Sequence, residues 1–222
     1  MNPSTVSPSI LYDTPMYDDT LREYVVGRDV PYTEFLRLFE GQRTEWLMGT
    51  VIKDMTNNIM HQRIIFFLSR LLIELLERLD GGEVLLAGVS MYVGDDFPAR
   101  EPDVLVLLPE NRATIKPTFV DGVADIVIEV VSPESTDRDY GTKFSEYEAV
   151  GVPEYWLIDP VRRETKVYVL GDDGRYHSLP TDSEGRLRSH KLPQLAIPLE
   201  LLWQTRTISP REIRQLVESM MA

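Results

Sequence analysis

The chain contains no cysteine. That excludes a disulfide framework and a thiolate zinc site. No stretch approaches the roughly 18 continuous apolar residues that a membrane span requires. The opening residues, Met1-Asn2-Pro3-Ser4-Thr5-Val6-Ser7, lack the basic start and apolar segment of a secretory signal. A soluble, cytoplasmic protein with no membrane partner is therefore expected. Internal repeats, low-complexity tracts and linkers are missing from residues 31–222. Positive charge is scarce as well: 23 Lys and Arg face 36 Asp and Glu, for a formal charge of −13. Polyanion binding rests on Lys and Arg neutralising phosphates, so this balance disfavours nucleic acid. It leaves room for it only where basic residues cluster at a cleft or metal ions supply local positive charge.

What is present suits one α/β domain with appendages: 222 residues, 43% of them hydrophobic and 27% charged. Residues 1–30, rich in Pro, Ser, Asp and Tyr with little periodicity, read as an extended N-terminal arm before a domain spanning 31–222. A short helix from Tyr32 to Phe39 is opened by Pro31 and closed near Gly41. Thr44 to Met55 reads as a hairpin turning at Gly49. A long helix covers Asn58 to Leu79. Its stripe of Ile64, Leu68, Leu71, Leu72, Leu75 and Leu79 is widened by Phe66, Phe67, Ile73 and Leu76, as in a helix sandwiched in the core or shared with a partner subunit. Strands follow near Glu83–Leu86, Ser90–Val93, Pro102–Leu108 and Asp125–Val131. A helix begins at Thr136, with Asp139 in a capping-box-like place, and stops at Gly151. Tyr155–Asp159 and Thr165–Leu170 pair through a turn at Asp159-Pro160, and a last helix starts after Ser209-Pro210. The pattern predicts an α/β fold, a mixed β-sheet flanked by helices.

The chemistry starts from Glu129. It interrupts Asp125-Ile126-Val127-Ile128-Glu129-Val130-Val131, an apolar run that reads as a buried central strand. An ionised carboxylate there costs several kcal/mol unless a cation or a set of donors receives it. Asp103 has a matching context in Pro102-Asp103-Val104-Leu105-Val106-Leu107-Leu108. Lys143 follows on the later helix, which would pack on the sheet through Tyr140, Phe144 and Tyr147. Hydrolysis of a phosphodiester needs an attacking water, neutralisation of growing phosphate charge and help for the leaving oxygen. A hard divalent cation serves all three, and Mg²⁺ asks for only one or two carboxylates with water and substrate oxygens. Carboxylates on neighbouring strands are fixed about 5 Å apart, which suits such an ion. Asp103, Glu129 and the backbone carbonyl of Val130 are the candidate ligands. Lys143 is the candidate for orienting water or stabilising phosphate charge. Asp139, four residues before Lys143, offers the plainer alternative of a surface ion pair. Glu45, as a third acid, and His61, as a phosphate contact or proton carrier, complete the candidates.

Four segments, in order, are Arg100-Glu101-Pro102-Asp103-Val104, Ile128-Glu129-Val130-Val131-Ser132-Pro133, Lys143-Phe144-Ser145-Glu146-Tyr147 and Gly151-Val152-Pro153-Glu154-Tyr155-Trp156-Leu157-Ile158-Asp159-Pro160. Together they resemble the Uma-type family of "putative restriction endonucleases", within the PD-(D/E)xK nuclease superfamily. The Glu45–Met55 hairpin and His61 resemble that family's N-terminal half. The resemblance spans residues 31 to 200. It implies a restriction-endonuclease-like fold, Mg²⁺ (or Mn²⁺) held by Asp103 and Glu129, and DNA as substrate, with a homodimer matching the two strands of a duplex. The superfamily places lysine two residues after the second acid, where this chain has Val131. The resemblance implies that Lys143 supplies that ammonium from the helix. A nuclease-derived binding or regulatory module without turnover, and a hydrolase of another phosphorylated substrate, are the alternatives.

Overall fold

The computed structural model describes residues 9–18, 23–39, 42, 44–53, 59–132 and 135–222. Strands β1 (Ile10–Asp18) and β2 (Glu23–Arg28) precede helix α1 (Tyr32–Leu38) and the hairpin β3 (Thr44–Leu47) and β4 (Thr50–Lys53). Helix α2 (Ile59–Leu76) leads to β5 (Glu83–Leu86), β6 (Ser90–Tyr92), β7 (Val104–Leu107), β8 (Thr114–Ile115), β9 (Phe119–Asp121) and β10 (Ile126–Val130). A π turn (Arg138–Thr142) runs into α3 (Lys143–Val150), then come β11 (Glu154–Asp159), β12 (Glu164–Leu170), β13 (Tyr176–Leu179), β14 (Arg186–Arg188), β15 (Ala196–Pro198) and α4 (Pro210–Met221). None of the helices among the described residues is long and apolar enough to cross a membrane.

The site is built on a six-stranded sheet of order β13-β12-β11-β10-β7-β5. Only β10 and β11 are parallel in it; the other pairings are antiparallel. The exception follows from the chain path, since α3 carries β10 over to β11 as a crossover connection. Every residue of β7, β10 and β11 is buried. Both faces of these strands are covered, which is why they read as continuous apolar runs rather than alternating ones. Alternation persists in where the side chains go. Ile126, Ile128 and Val130 join the core beneath α2 and α4, whereas Val127 joins the core with Tyr147 of α3. Glu129 shares the parity of Val127, so it belongs to the α3 side of the sheet.

The segment expected as an extended arm is extended where it is described, but as paired strand. β1 pairs with β2, and β2 pairs with β4, giving a second sheet of order β1-β2-β4-β3. Val25 and Val30 are fully buried there. β1 exposes residues on both faces and its register slips between Leu11 and Met16, so it lacks the period-two pattern that would have announced it. The β3–β4 hairpin turns at Met48-Gly49, both at positive φ (48° and 98°), as a two-residue turn with primed geometry demands.

Two expectations for the helices need correction. Phe66 and Ile73 do not widen the buried face of α2; they are 49% and 45% exposed, and Ile65 and Ser69 are buried instead. With Ile59 they form an outward row seven residues apart, set off from the core-facing stripe by the helical period. Thr136 and Asp139 form no capping box. The Thr136 hydroxyl donates to the Ser132 carbonyl, and Asp139 accepts from Ser135 Oγ at 2.5 Å. Asp139 is drawn inward because a buried ammonium one turn later gives its carboxylate a partner there. The capping box of this chain lies instead at α4, between Ser209 and Glu212. The expected closure of α1 near Gly41 and start of α2 at Asn58 fall outside the described residues.

Candidate active site

The antiparallel register of β10 and β7 pairs Ile128 with Val104. Continued by one residue, it sets Glu129 across from Asp103. The Oδ2 atom of Asp103 accepts from the Val130 backbone N–H at 2.7 Å and lies 3.1 Å from His61 Nε2, brought in by the first turn of α2. Glu129 is 3% exposed, and its Oε1 accepts from Lys143 Nζ at 2.8 Å and from the Tyr147 hydroxyl at 2.7 Å. Lysine and tyrosine lie four residues apart on α3, one turn along the face turned to the sheet. The structure therefore brings Asp103, Glu129, Lys143 and His61 together.

Lys143 forms the expected pair with Asp139, at 3.4 Å, but this is no surface pair: both side chains are almost wholly buried. Its ammonium also stands 3.6 Å from Glu45 Oε1, so three carboxylates surround one cation. Burial raises the Glu129 carboxyl most, Lys143 draws it down, and Asp139, Asp103 and Glu45 raise it again, to about 8. Burial alone would lower the Lys143 ammonium, but Glu129, Glu45 and Asp139 outweigh it and hold the proton on. Burial would raise Glu45 too; Lys143, Arg100 and Arg138 overcome it and keep this carboxyl down at about 2.

Two cations here escaped the sequence reading. Arg100 is 3% exposed and joins Glu45 (Nη1 to Oε2, 2.8 Å) to Glu146 through a two-pronged contact of 2.8 and 3.0 Å. Arg138 pairs with Glu23 of β2. Their partners lie 46 to 115 residues away along the chain, so no local spacing announces them. The only sequence signal was Arg100 at the head of the Glu101-Pro102-Asp103 segment. Val131, in the place where the superfamily carries lysine, is 1% exposed and packed in the same apolar cluster as Tyr147.

Glu45, His61, Asp103, Glu129, Arg138, Asp139 and Lys143 line one polar cavity of about 30 Å³, room for a water or two or one ion. Its wall holds five carboxyls (Glu45, Glu101, Asp103, Glu129, Asp139) against Arg138, Lys143 and His61. A larger cavity of about 360 Å³ between α2 and residues 201–208 contains none of these acids.

The donor chemistry fits a hard cation: an excess of carboxylate, no sulfur, and two acids facing each other across neighbouring strands. Among the described residues, hydrogen bonds use only Oδ2 of Asp103 and Oε1 of Glu129. Asp103 Oδ1 and Glu129 Oε2 make none among the described residues. No group of three or more His, Cys, Asp or Glu with metal-holding geometry occurs among the described residues. Asp103 and Glu129 present two carboxylates, and a Mg²⁺ ion held by only two would take its other ligands from water and substrate.

Comparison with known proteins bears on the family and the fold. Residues 32–200 match the family model Uma2, described as "Putative restriction endonuclease". A curated relative, the uncharacterized protein sll1609 of Synechocystis sp., is 27% identical over 120 residues, covering 53% of this chain and 67% of the relative. Among solved structures, a "putative nuclease belonging to DUF820" from Anabaena variabilis superposes with a TM-score of 0.59. It is 16% identical, the match covers 83% of this chain and 97% of that one, and the likeness speaks for the fold. The chain belongs to the Uma2 family, "Putative restriction endonuclease", and has a restriction-endonuclease-like α/β fold.

Proposed function

We propose that this protein is an endonuclease that hydrolyses DNA phosphodiester bonds with Mg²⁺ or Mn²⁺. The observation that carries the reading is the meeting of Lys143 Nζ and Glu129, 2.8 Å apart, in the cavity that Asp103 also lines. Asp103, Glu129 and the Val130 carbonyl would hold the cation. Bound there, it supplies positive charge against the charge growing on the phosphate and makes a water acidic enough to attack near neutral pH. The chain's own groups do the positioning. His61 and the Val130 N–H fix Asp103 by one oxygen; Tyr147 and Lys143 fix Glu129 by one oxygen. A wall this acidic, on a chain of charge −13, repels a DNA strand by itself. Productive approach is therefore expected only with the divalent ion present. As a homodimer, the protein would offer one such site to each strand of a duplex.

Plasmid nicking with Mg²⁺ or Mn²⁺ tests the reading. Asp103→Ala is expected to lower the rate by a factor on the order of 10² or more, the usual effect of removing one fixed electrostatic partner of the transition state. Equal rates for wild type and variant would sink the assignment. A second reading, a binding or regulatory module without turnover, is favoured by Val131 in the lysine position and by the acidic charge. If Mn²⁺ leaves the melting temperature of wild type unmoved, that second reading prevails.

A further inference from the structure

Two side-chain cations, Lys143 and Arg138, line the cavity, and they differ in how far they are already engaged. Lys143 is fully committed: 4% exposed, with carboxylates at 2.8, 3.4 and 3.6 Å. A phosphate arriving at the mouth of the cavity would have to draw its ammonium away from all three. Arg138 is less fully taken up, although Glu45 and Asp139 also act on its charge. Its Nη1 donates to Glu23, while Nε is buried with no hydrogen-bond partner among the described residues. A guanidinium carries five donors, and a buried one left unfilled is uncommon in folded proteins. The side chain is 16% exposed, so it is anchored at one nitrogen and still reaches solvent. It also stands at the first residue of the π turn ahead of α3, a distortion that recurs at functional sites.

We infer that Arg138 receives the scissile phosphate of the DNA strand, while Lys143 serves Glu129. The assignment rests on the nuclease reading above. A guanidinium matches the paired oxygens of a phosphodiester with parallel donors, and it stays charged at any working pH. Glu23 then acts as the anchor that aims the free edge of Arg138, which gives the β1–β2 segment a part in the site.

The test compares nicking by wild type with Arg138→Gln and with the double variant Arg138→Gln, Glu23→Gln. The double variant strands neither partner, so it keeps the experiment readable if the single variant folds badly. Both are expected to lose kcat/KM by a factor on the order of 10². In a salt series, log kcat/KM against log salt should become shallower by about 1, the signature of one lost phosphate contact. Added methylguanidinium should restore part of the rate. A purely structural role would move neither the salt slope nor the rescue, and either of those results unchanged overturns the inference. A wild type that cuts while the double variant cuts equally well removes the inference alone. A wild type that cuts nothing under any divalent ion removes the nuclease reading and this inference with it.

Discussion

Lys143→Met is expected to damage the protein twice, in stability and in turnover. The ammonium removed is the common partner of Glu129, Glu45 and Asp139, all in the interior. Breaking a buried pair by deleting one partner typically costs about 3–5 kcal/mol, because an uncompensated charge stays behind. That is a large share of the roughly 5–15 kcal/mol that holds a domain together. Part of the loss is relieved when Glu129 takes up a proton. Its folded carboxyl is already raised from 4.5, and without Lys143 it rises further. For an acid raised in the folded state, stability falls as pH rises from the unfolded value toward the folded one. Wild-type Glu129 also holds its proton below about 8, so urea unfolding should show the deficit of Lys143→Met growing only as pH rises above about 8. The double variant Lys143→Met, Glu129→Gln should recover much of the stability and none of the nicking. A single variant as stable and as active as wild type would remove Lys143 from the account.

The second large effect is expected at Arg100. Its guanidinium is the link between Glu45 on β3 and Glu146 on α3, so it ties the small sheet to the helix that carries Lys143. Arg100→Leu leaves Glu45 with Lys143 at 3.6 Å and the more distant charge of Arg138, and a loss of about 3–5 kcal/mol is again expected. Adding Glu45→Gln should give back a part of it, as coupled neighbours do. The pH dependence has a definite sign. Glu45 is held at about 2 against an ordinary 4.5, so its contribution is fully present above pH 4.5 and disappears as pH falls toward 2. Unfolding measured from pH 5 down to 2 should show a shallower decline for Glu45→Gln than for wild type. Parallel declines would mean that the Arg100 contact contributes nothing through Glu45.

The acids were legible because they conflict with their surroundings. A carboxyl inside Ile126-Val127-Ile128-Glu129-Val130 is costly without a partner, and strand parity alone places it on the side of Leu105 and Tyr147. Lys143 was legible from the helix: Tyr140, Phe144 and Tyr147 mark the face toward the sheet, and the lysine sits one turn before Tyr147. What stayed hidden depends on the rest of the fold. Arg100 and Arg138 are defined by partners on distant strands, and no window of sequence contains both ends of such a pair. The strand character of residues 10–18 was invisible for another reason: an edge strand open on both faces, with a register slip, has no buried side to imprint a pattern. Asp139 misled because a carboxylate near a helix start ordinarily caps it. Here the Ser135 hydroxyl and the buried ammonium captured it first. Phe66 and Ile73 misled because apolar residues need not be inside; only the helical period separates the core stripe from the outward row.

Crystals soaked in Mn²⁺ and measured at the manganese absorption edge put the central claim to the most direct trial. An anomalous peak bridging Asp103 and Glu129, on the oxygens that make no hydrogen bond among the described residues, is the predicted result. Full occupancy elsewhere, or no peak between those two side chains at saturating Mn²⁺, would contradict the account.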